Sequence, residues 1–344
     1  MSYRATVQRI VRTVVEPRAA EVDRDGRFPR EAVRACHGVL GLTMSRGVGG
    51  GGHGLAEASW VVERFARACA STGTVLQSHF AAAAALDRLA DRGFRGELAS
   101  GRHLASLAVF GADGWFLSPA GTAVQRGTVV DLRDRKSGVV SAAEADSYLW
   151  SALDGRGRTA LWLVPGNAPG LLVPVSRQGI GLRGNASTTV WADPAQVPAD
   201  CALGDGFDAL VHRVLPWHVV LGASVGLGIM EGAIEAAERA AAPRASVVRM
   251  RLRADAVRVL HADAVAAVGW EPERARRKLG QLAVASAEAV TAVTDLAVKT
   301  CGDAAFDGEL GLERRFRDAR ALCAMAPTAD AVVEFIARGE RLGA

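Results

Sequence analysis

A chain of 344 residues is too long for one small core and suits two or three packed units. Its composition, 49% hydrophobic and 23% charged, is globular and excludes a disordered chain. The net charge of +4 rests on 41 basic residues, only three of them lysine (Lys136, Lys278, Lys299), scattered among 37 acids, so no nucleic-acid partner is expected.

Residues 5–15 carry apolar positions at helical spacing, and Pro17 is expected to end that run. Pro29 sits where it starts the next helix, which runs to the glycine at 38 or 41. Gly47-Val-Gly-Gly-Gly-Gly-His-Gly54 reads as a flexible loop; it follows no strand and lacks a Lys-Ser/Thr, so it is no P-loop. Leu55, Ala58, Val61, Val62, Phe65, Ala66 and Cys69 share one face of a helix over residues 55–71. A second apolar helix is expected over 74–88, after Gly73. Near residue 105 the pattern changes to short β-prone runs at 104–110, 128–132, 138–140, 147–152, 159–164, 170–175 and 188–192. Turn signals such as Asp154-Gly and Arg183-Gly-Asn separate them. From residue 208 the chain is helical again: one long apolar helix over 210–242, interrupted by Pro216, then helices over 254–268, 274–300 and 312–325. The expected fold is mostly α with a small β-domain: a helical domain over 1–104, a β-domain over 105–200 and a four-helix-type domain over 201–344.

The longest apolar run, 219–230, has twelve residues, too few to span a bilayer, so no membrane partner is expected. The N-terminal segment lacks an apolar stretch of the secretory kind. The five cysteines form no CxxC pair, and a reducing cytoplasm is the expected setting. The histidines show no metal-ligand spacing, so no metal site is assigned. Arg244, Arg249, Arg251, Arg253 and Arg258 form the densest basic stretch, either a solvated helix face or a pocket for an anionic phosphate.

Several segments carry a family pattern. They are Val15-Glu-Pro17, Glu21-Val-Asp23-Arg24, Phe28-Pro29, Ala66-Arg-Ala-Cys-Ala-Ser-Thr-Gly73 and Leu98-Ala-Ser-Gly101 in the first half. Ile180-Gly-Leu-Arg-Gly-Asn-Ala-Ser-Thr188, Val197-Pro198, Leu203-Gly204, Leu312-Glu-Arg314 and Arg317-Asp-Ala-Arg320 follow in the second. Together they resemble the acyl-CoA dehydrogenases over nearly the whole chain, which implies an N-terminal helical domain, a middle β-barrel-like domain and a C-terminal helical bundle. The resemblance implies FAD as cofactor and a Cα–Cβ oxidation of an acyl thioester carried by CoA or an acyl-carrier protein. It also implies a homodimer or homotetramer, with a hetero-oligomer containing a related subunit as the alternative.

The functional positions depart from that pattern. Where the family has a Thr-Glu-Pro loop with a Gly-Ser-Asp, this chain reads Ala108-Val-Phe-Gly-Ala-Asp-Gly114. Lys136 is kept, but Gly138, Val140 and Ser141 stand where an aromatic, a threonine and a small residue face the flavin. An insertion carrying Arg-x-Gln-Phe-Gly is missing between Ala240 and Arg253, and Cys301-Gly302 replaces a Gly-Gly pair. The family's glutamate base falls at Ala326-Pro327-Thr328, without a carboxylate; the position some members use instead, early in the long helix, holds His218.

His218 beside Trp217 is therefore the candidate base, the alternative being a satisfied histidine at a helix end. Phe110, Val140, Ser141 and Thr328 are the candidate flavin contacts. His79 and Glu231 are candidate substrate contacts, against a packing role for the first and an exposed helix face for the second. Loss of the glutamate equally suits a flavin monooxygenase of the same fold, and the eroded flavin motifs suit a flavin-poor, catalytically atypical subunit.

Overall fold

The computed structural model describes residues 2–111, 121–174, 179–269 and 272–337. Residues 112–114 of the expected flavin loop and residue 175 of an expected strand lie outside them.

The first helical run does not end at Pro17. Tyr3–Ile10 (α1) passes through a π-helical turn at Val11–Val15 into Glu16–Asp25 (α2), and Pro17 directly follows that turn, whose i→i−5 bonding accommodates a residue without an N–H. Arg30–Ala35 (α3) and His37–Leu40 (α4) are short. Leu55–Ala68 (α5) and Ala70–Leu89 (α6) are separated at Cys69, whose φ of −148° and ψ of 106° are extended, so the break lies four residues ahead of the expected one. Gly73 is inside α6. A Cβ there would stand 2.6 Å from the Ala66 Cβ, so glycine lets α6 cross α5 at close range. Arg92–Ala99 (α7) is capped by Asp91, which accepts from the Gly93 and Phe94 amides.

The sheet comprises Ala105–Ala108 (β1), Thr122–Arg126 (β2), Val129–Val139 (β3), Ser147–Leu153 (β4), Thr159–Pro165 (β5), Leu171–Leu172 (β6), Thr188–Pro198 (β7) and Ala202–Asp205 (β8). Its order is β6-β7-β3-β2-β4-β5-β8, with β1 lying parallel on β4. The sequence pattern misses β2 and β8, and β8 carries the sheet beyond the expected boundary at residue 200. Strand alternation decides how the sheet meets the helices. Along β4, Tyr148 and Trp150 enter the β-domain core while Leu149 joins the helical core; along β1, Leu107 and Ala108 divide the same way. α6 lies across β1 on that helical side.

The second helical block uses the same device as the first. Phe207–Ala209 (α8) runs through a π-helical turn at Leu210–Val214 into Leu215–Arg239 (α9), with Pro216 in the first turn. Arg244–Ala267 (α10), Pro272–Cys301 (α11), Leu312–Cys323 (α12) and Ala329–Ala337 (α13) complete it. α9 is the central helix, packed on α5, α6, α10, α11 and α12. Two stretches, Phe207–Arg239 and Arg274–Phe306, are long and apolar enough to cross a membrane by length and composition. The most apolar 18-residue window of Phe207–Arg239 is 83% buried within the bundle, as suits a central helix.

Candidate functional site

His218 lies one turn into α9 and is buried. Its Nε2 stands 3.1 Å from the main-chain carbonyl of Ala326, in the connection between α12 and α13. A carbonyl only accepts, so Nε2 carries the hydrogen and donates. Burial lowers the imidazole pKa to about 4, the Ala326 hydrogen bond opposing it only in part. The ring is therefore neutral at pH 7 and Nδ1 holds a lone pair. That Nδ1 is buried and makes no hydrogen bond.

Two other parts of the chain converge on this ring. Phe110, two residues beyond β1, tilts against it with centroids 5.1 Å apart. Gln77 of α6 donates through Nε2 to the His218 carbonyl at 3.2 Å. Between α6, α9, α11 and the segment leading into α13 opens a small pocket of about 80 Å³, lined by Gln77, His218, Gly222, Ser286, Leu322 and Thr328 among others. Its position joins the two places where a base was sought in the sequence: His218 touches the backbone of Ala326 directly. A neutral imidazole with an unpartnered ring nitrogen, on a side chain that lines this pocket, has the lone pair a base needs.

The remaining flavin candidates lie at the pocket rim and the sheet edge. Thr328 caps α13, its Oγ1 accepting from the Ala331 amide at 3.2 Å. The Val140 carbonyl accepts from Ser106 Oγ at 2.5 Å, and the Ser106 hydroxyl also meets Ser78 Oγ of α6 at 2.8 Å. Ser141 holds φ at 57° and donates its amide to the Asn185 carbonyl at 2.9 Å. Its hydroxyl is buried with no hydrogen-bond partner. Lys136 is fully buried, its Nζ 2.7 Å from Asp134 and 3.1 Å from Ser151 Oγ.

Two candidates belong elsewhere. His79 is fully buried, with Nε2 donating to the Leu40 carbonyl at 3.0 Å and Nδ1 accepting from the Ala105 amide at 3.1 Å. Both ring nitrogens are occupied by backbone, so this histidine ties α4 and β1 to α6 and has no atom left for a substrate. Glu231 lies thirteen residues along α9 from His218, about 20 Å at 1.5 Å per residue. It faces Arg251 and Arg258, each 3.9 Å away; Arg258 also binds Glu63 at 3.0 Å, and Arg251 binds Glu238 at 2.7 Å. The dense arginine stretch is thus partly neutralised by the protein's own carboxylates, and Arg244, Arg249 and Arg253 are exposed.

The geometry can be set beside known proteins. The model for the acyl-CoA dehydrogenase N-terminal domain matches residues 1–95. A probable acyl-CoA dehydrogenase, YngJ of Bacillus subtilis (strain 168), is 24% identical across 92% of this chain and 91% of its own length. The structure of a glutaryl-coenzyme A dehydrogenase in complex with glutaryl-CoA superposes with a TM-score of 0.87 over 98% of this chain and 95% of that one, at 22% identity. The N-terminal helical domain matches the acyl-CoA dehydrogenase family, and the chain shares the fold of these enzymes over nearly its whole length. FMN-bound TdsC from Paenibacillus sp. A11-2, a dibenzothiophene monooxygenase, shares the fold at a TM-score of 0.85, 20% identity, 97% of this chain and 96% of that one.

Of the four candidate flavin contacts, one carries a polar group that a flavin ring could satisfy. The Ser141 hydroxyl is a buried group without a hydrogen-bond partner just past the end of β3. The dinucleotide side is leaner: α9 and α10 are joined by only Ala240–Pro243, which leaves no place for the missing insertion. Sequence reasoning overlooked Gln77. The signal was available: it is a carboxamide with two hydrogen-bonding ends in a helix whose neighbours are small or apolar.

Proposed function

We propose that this protein oxidises the Cα–Cβ bond of an acyl thioester, with His218 as the base. The observation that carries this reading is the unpartnered Nδ1 of His218 at the wall of the pocket, fixed in one tautomer by the Ala326 carbonyl. Phe110, Val140, Ser141 and Thr328 would hold a flavin, whose chemistry when bound is to accept the β-hydride. The Ala326 carbonyl orients the imidazole, Phe110 packs against it, and Nδ1 receives the α-proton. Its low proton affinity requires an acidified α-carbon, which a thioester provides. We take the flavin as FAD and the thioester as one on CoA or an acyl-carrier protein. A homodimer or homotetramer in the cytoplasm completes the proposal; exposed Val248, Leu252 and Val259 on one face of α10 support assembly.

Flavin absorbance near 450 nm in the purified protein and anaerobic bleaching by acyl thioesters test this reading. His218→Gln is expected to lower the bleaching rate at least 100-fold while the flavin stays bound. A colourless protein that FAD or FMN leaves colourless overturns it in favour of a flavin-poor subunit.

One observation favours a second reading. A base whose pKa is held near 4 is poor at removing a carbon-bound proton, whereas a monooxygenase of this fold has no such step to perform. Oxygen uptake dependent on reduced flavin, without bleaching by any acyl thioester, would identify that activity.

A further inference from the structure

The pocket holds a second open acceptor besides His218 Nδ1. Gln77 is 3% exposed, and its carboxamide meets the His218 carbonyl at 3.2 Å. Because that carbonyl only accepts, the amide nitrogen must face it, and the carboxamide cannot be flipped. Oε1 is thereby left over, buried and without a hydrogen-bond partner. The same reasoning on the Ala326 carbonyl leaves His218 with its lone pair at Nδ1. Both side chains line the pocket, whose other walls include Val219, Ala223, Ala283 and Leu322. Gly222 keeps the space beside the carboxamide open: a Cβ there would stand 3.1 Å from Gln77 Nε2.

We infer that Gln77 is a specificity residue and that the acyl group this pocket takes carries a hydroxyl, or an equivalent hydrogen-bond donor, which Oε1 accepts. The inference rests on the thioester reading above and narrows its substrate class. Wholly apolar acyl chains would bury Oε1 against carbon and leave it unpaired, which a hydrogen-bonding site penalises strongly. The tie to the His218 carbonyl uses only the nitrogen end of the carboxamide, so a purely structural role leaves Oε1 unexplained. His218 Nδ1 remains available for the proton, which separates reading the substrate from transforming it.

The test is equilibrium binding to the purified protein, by calorimetry, of three pantetheine thioesters: butyryl, 2-hydroxybutyryl and 3-hydroxybutyryl. Pantetheine is common to CoA and carrier-protein substrates, so the carrier does not enter. One of the hydroxylated thioesters is expected to bind at least tenfold tighter than butyryl. Gln77→Met, close in shape and without the acceptor, is expected to erase that preference, read as the ratio of the affinities for the hydroxylated and unsubstituted thioesters. Circular dichroism and melting temperature establish that the variant is folded, and Gln77→Glu, which keeps an oxygen acceptor but not the nitrogen donor, serves as a second variant if Met disturbs the core. Equal affinity for all three thioesters, as when a bound water satisfies both acceptors, overturns the inference and leaves the thioester reading standing. A preference that survives in Gln77→Met does the same. Failure of all three to bind overturns the thioester reading itself, and this inference with it.

Discussion

His79 and His218 invite direct comparison. Each is a buried histidine on a long apolar helix, each has its pKa lowered by burial to about 4, and each bonds a backbone carbonyl through Nε2. They differ at Nδ1. In His79 it accepts the Ala105 amide and seals the joint between the first helical block and the sheet; in His218 it is left open at a pocket. Burial and a displaced pKa therefore do not mark a functional group by themselves. The accounting of each ring nitrogen does, because a polar atom taken out of water without a partner is costly to keep unless something occupies the place.

The largest test of this pair is acid. His79, His218 and His261 all hold pKa values near 4 in the fold, below their ordinary 6.5. The unfolded chain binds these protons below pH 6.5, whereas the folded chain refuses them until about 4, so stability rises with pH across that window. The shift corresponds to about 3 kcal/mol for each histidine. Asp318 opposes them: burial raises its carboxyl to about 6, so the fold binds its proton first and gains as pH falls from 6 towards 4. Urea denaturation at pH 7 and pH 4.5 is expected to show a net acid loss of several kcal/mol, larger in Asp318→Asn and smaller in His79→Leu. An Asp318→Asn variant with an unchanged or smaller acid loss would remove Asp318 from this balance.

Substitution at neutral pH should separate the two histidines by cost. His79→Leu strands the Leu40 carbonyl and the Ala105 amide in the interior, and is expected to cost about 3 kcal/mol. His218→Leu strands only the Ala326 carbonyl and is expected to cost about 1 kcal/mol. Equal losses in chemical denaturation would erase the distinction between joint and pocket. The glycines beside them make the smallest contrast. Gly73→Ala forces a Cβ to 2.6 Å from Ala66 where two helices cross, for about 2 kcal/mol. Gly222→Ala meets only the Gln77 amide, at 3.1 Å and next to open space, and is expected to cost under about 1 kcal/mol.

Much of the architecture was legible from periodicity. The 3.6-residue pattern of residues 55–71 and the dense apolar stretch from 210 located central helices, and the change near 105 located the sheet. Local signals misled where two rules competed. Pro17 and Pro216 look like helix breaks, but each directly follows a π-helical turn, whose wider i→i−5 bonding takes up, without ending the helix, the residue that cannot donate. Gly73 looks like a helix stop and is a packing contact instead. β2 and β8 were missed because short strands such as Thr122–Arg126, mostly exposed, carry little alternation of their own and are held by their neighbours.

The candidate site was legible only in part. A motif position singled out His218, and the absence of a carboxylate at Ala326 was plain from the letters alone. The three-part order and the kinds of residue offered for chemistry are legible in periodicity and in the letters themselves, and the sequence by itself determined them. Only the tertiary structure decided which of two similar histidines is spent on the fold, that Glu231, about 20 Å along α9 from His218, answers arginines of α10, and that Gln77 joins the pocket from 141 positions earlier in the chain. The physical reason is that a hydrogen-bonding group is defined by what it is left without. That remainder exists only after every backbone donor and acceptor around it has been assigned.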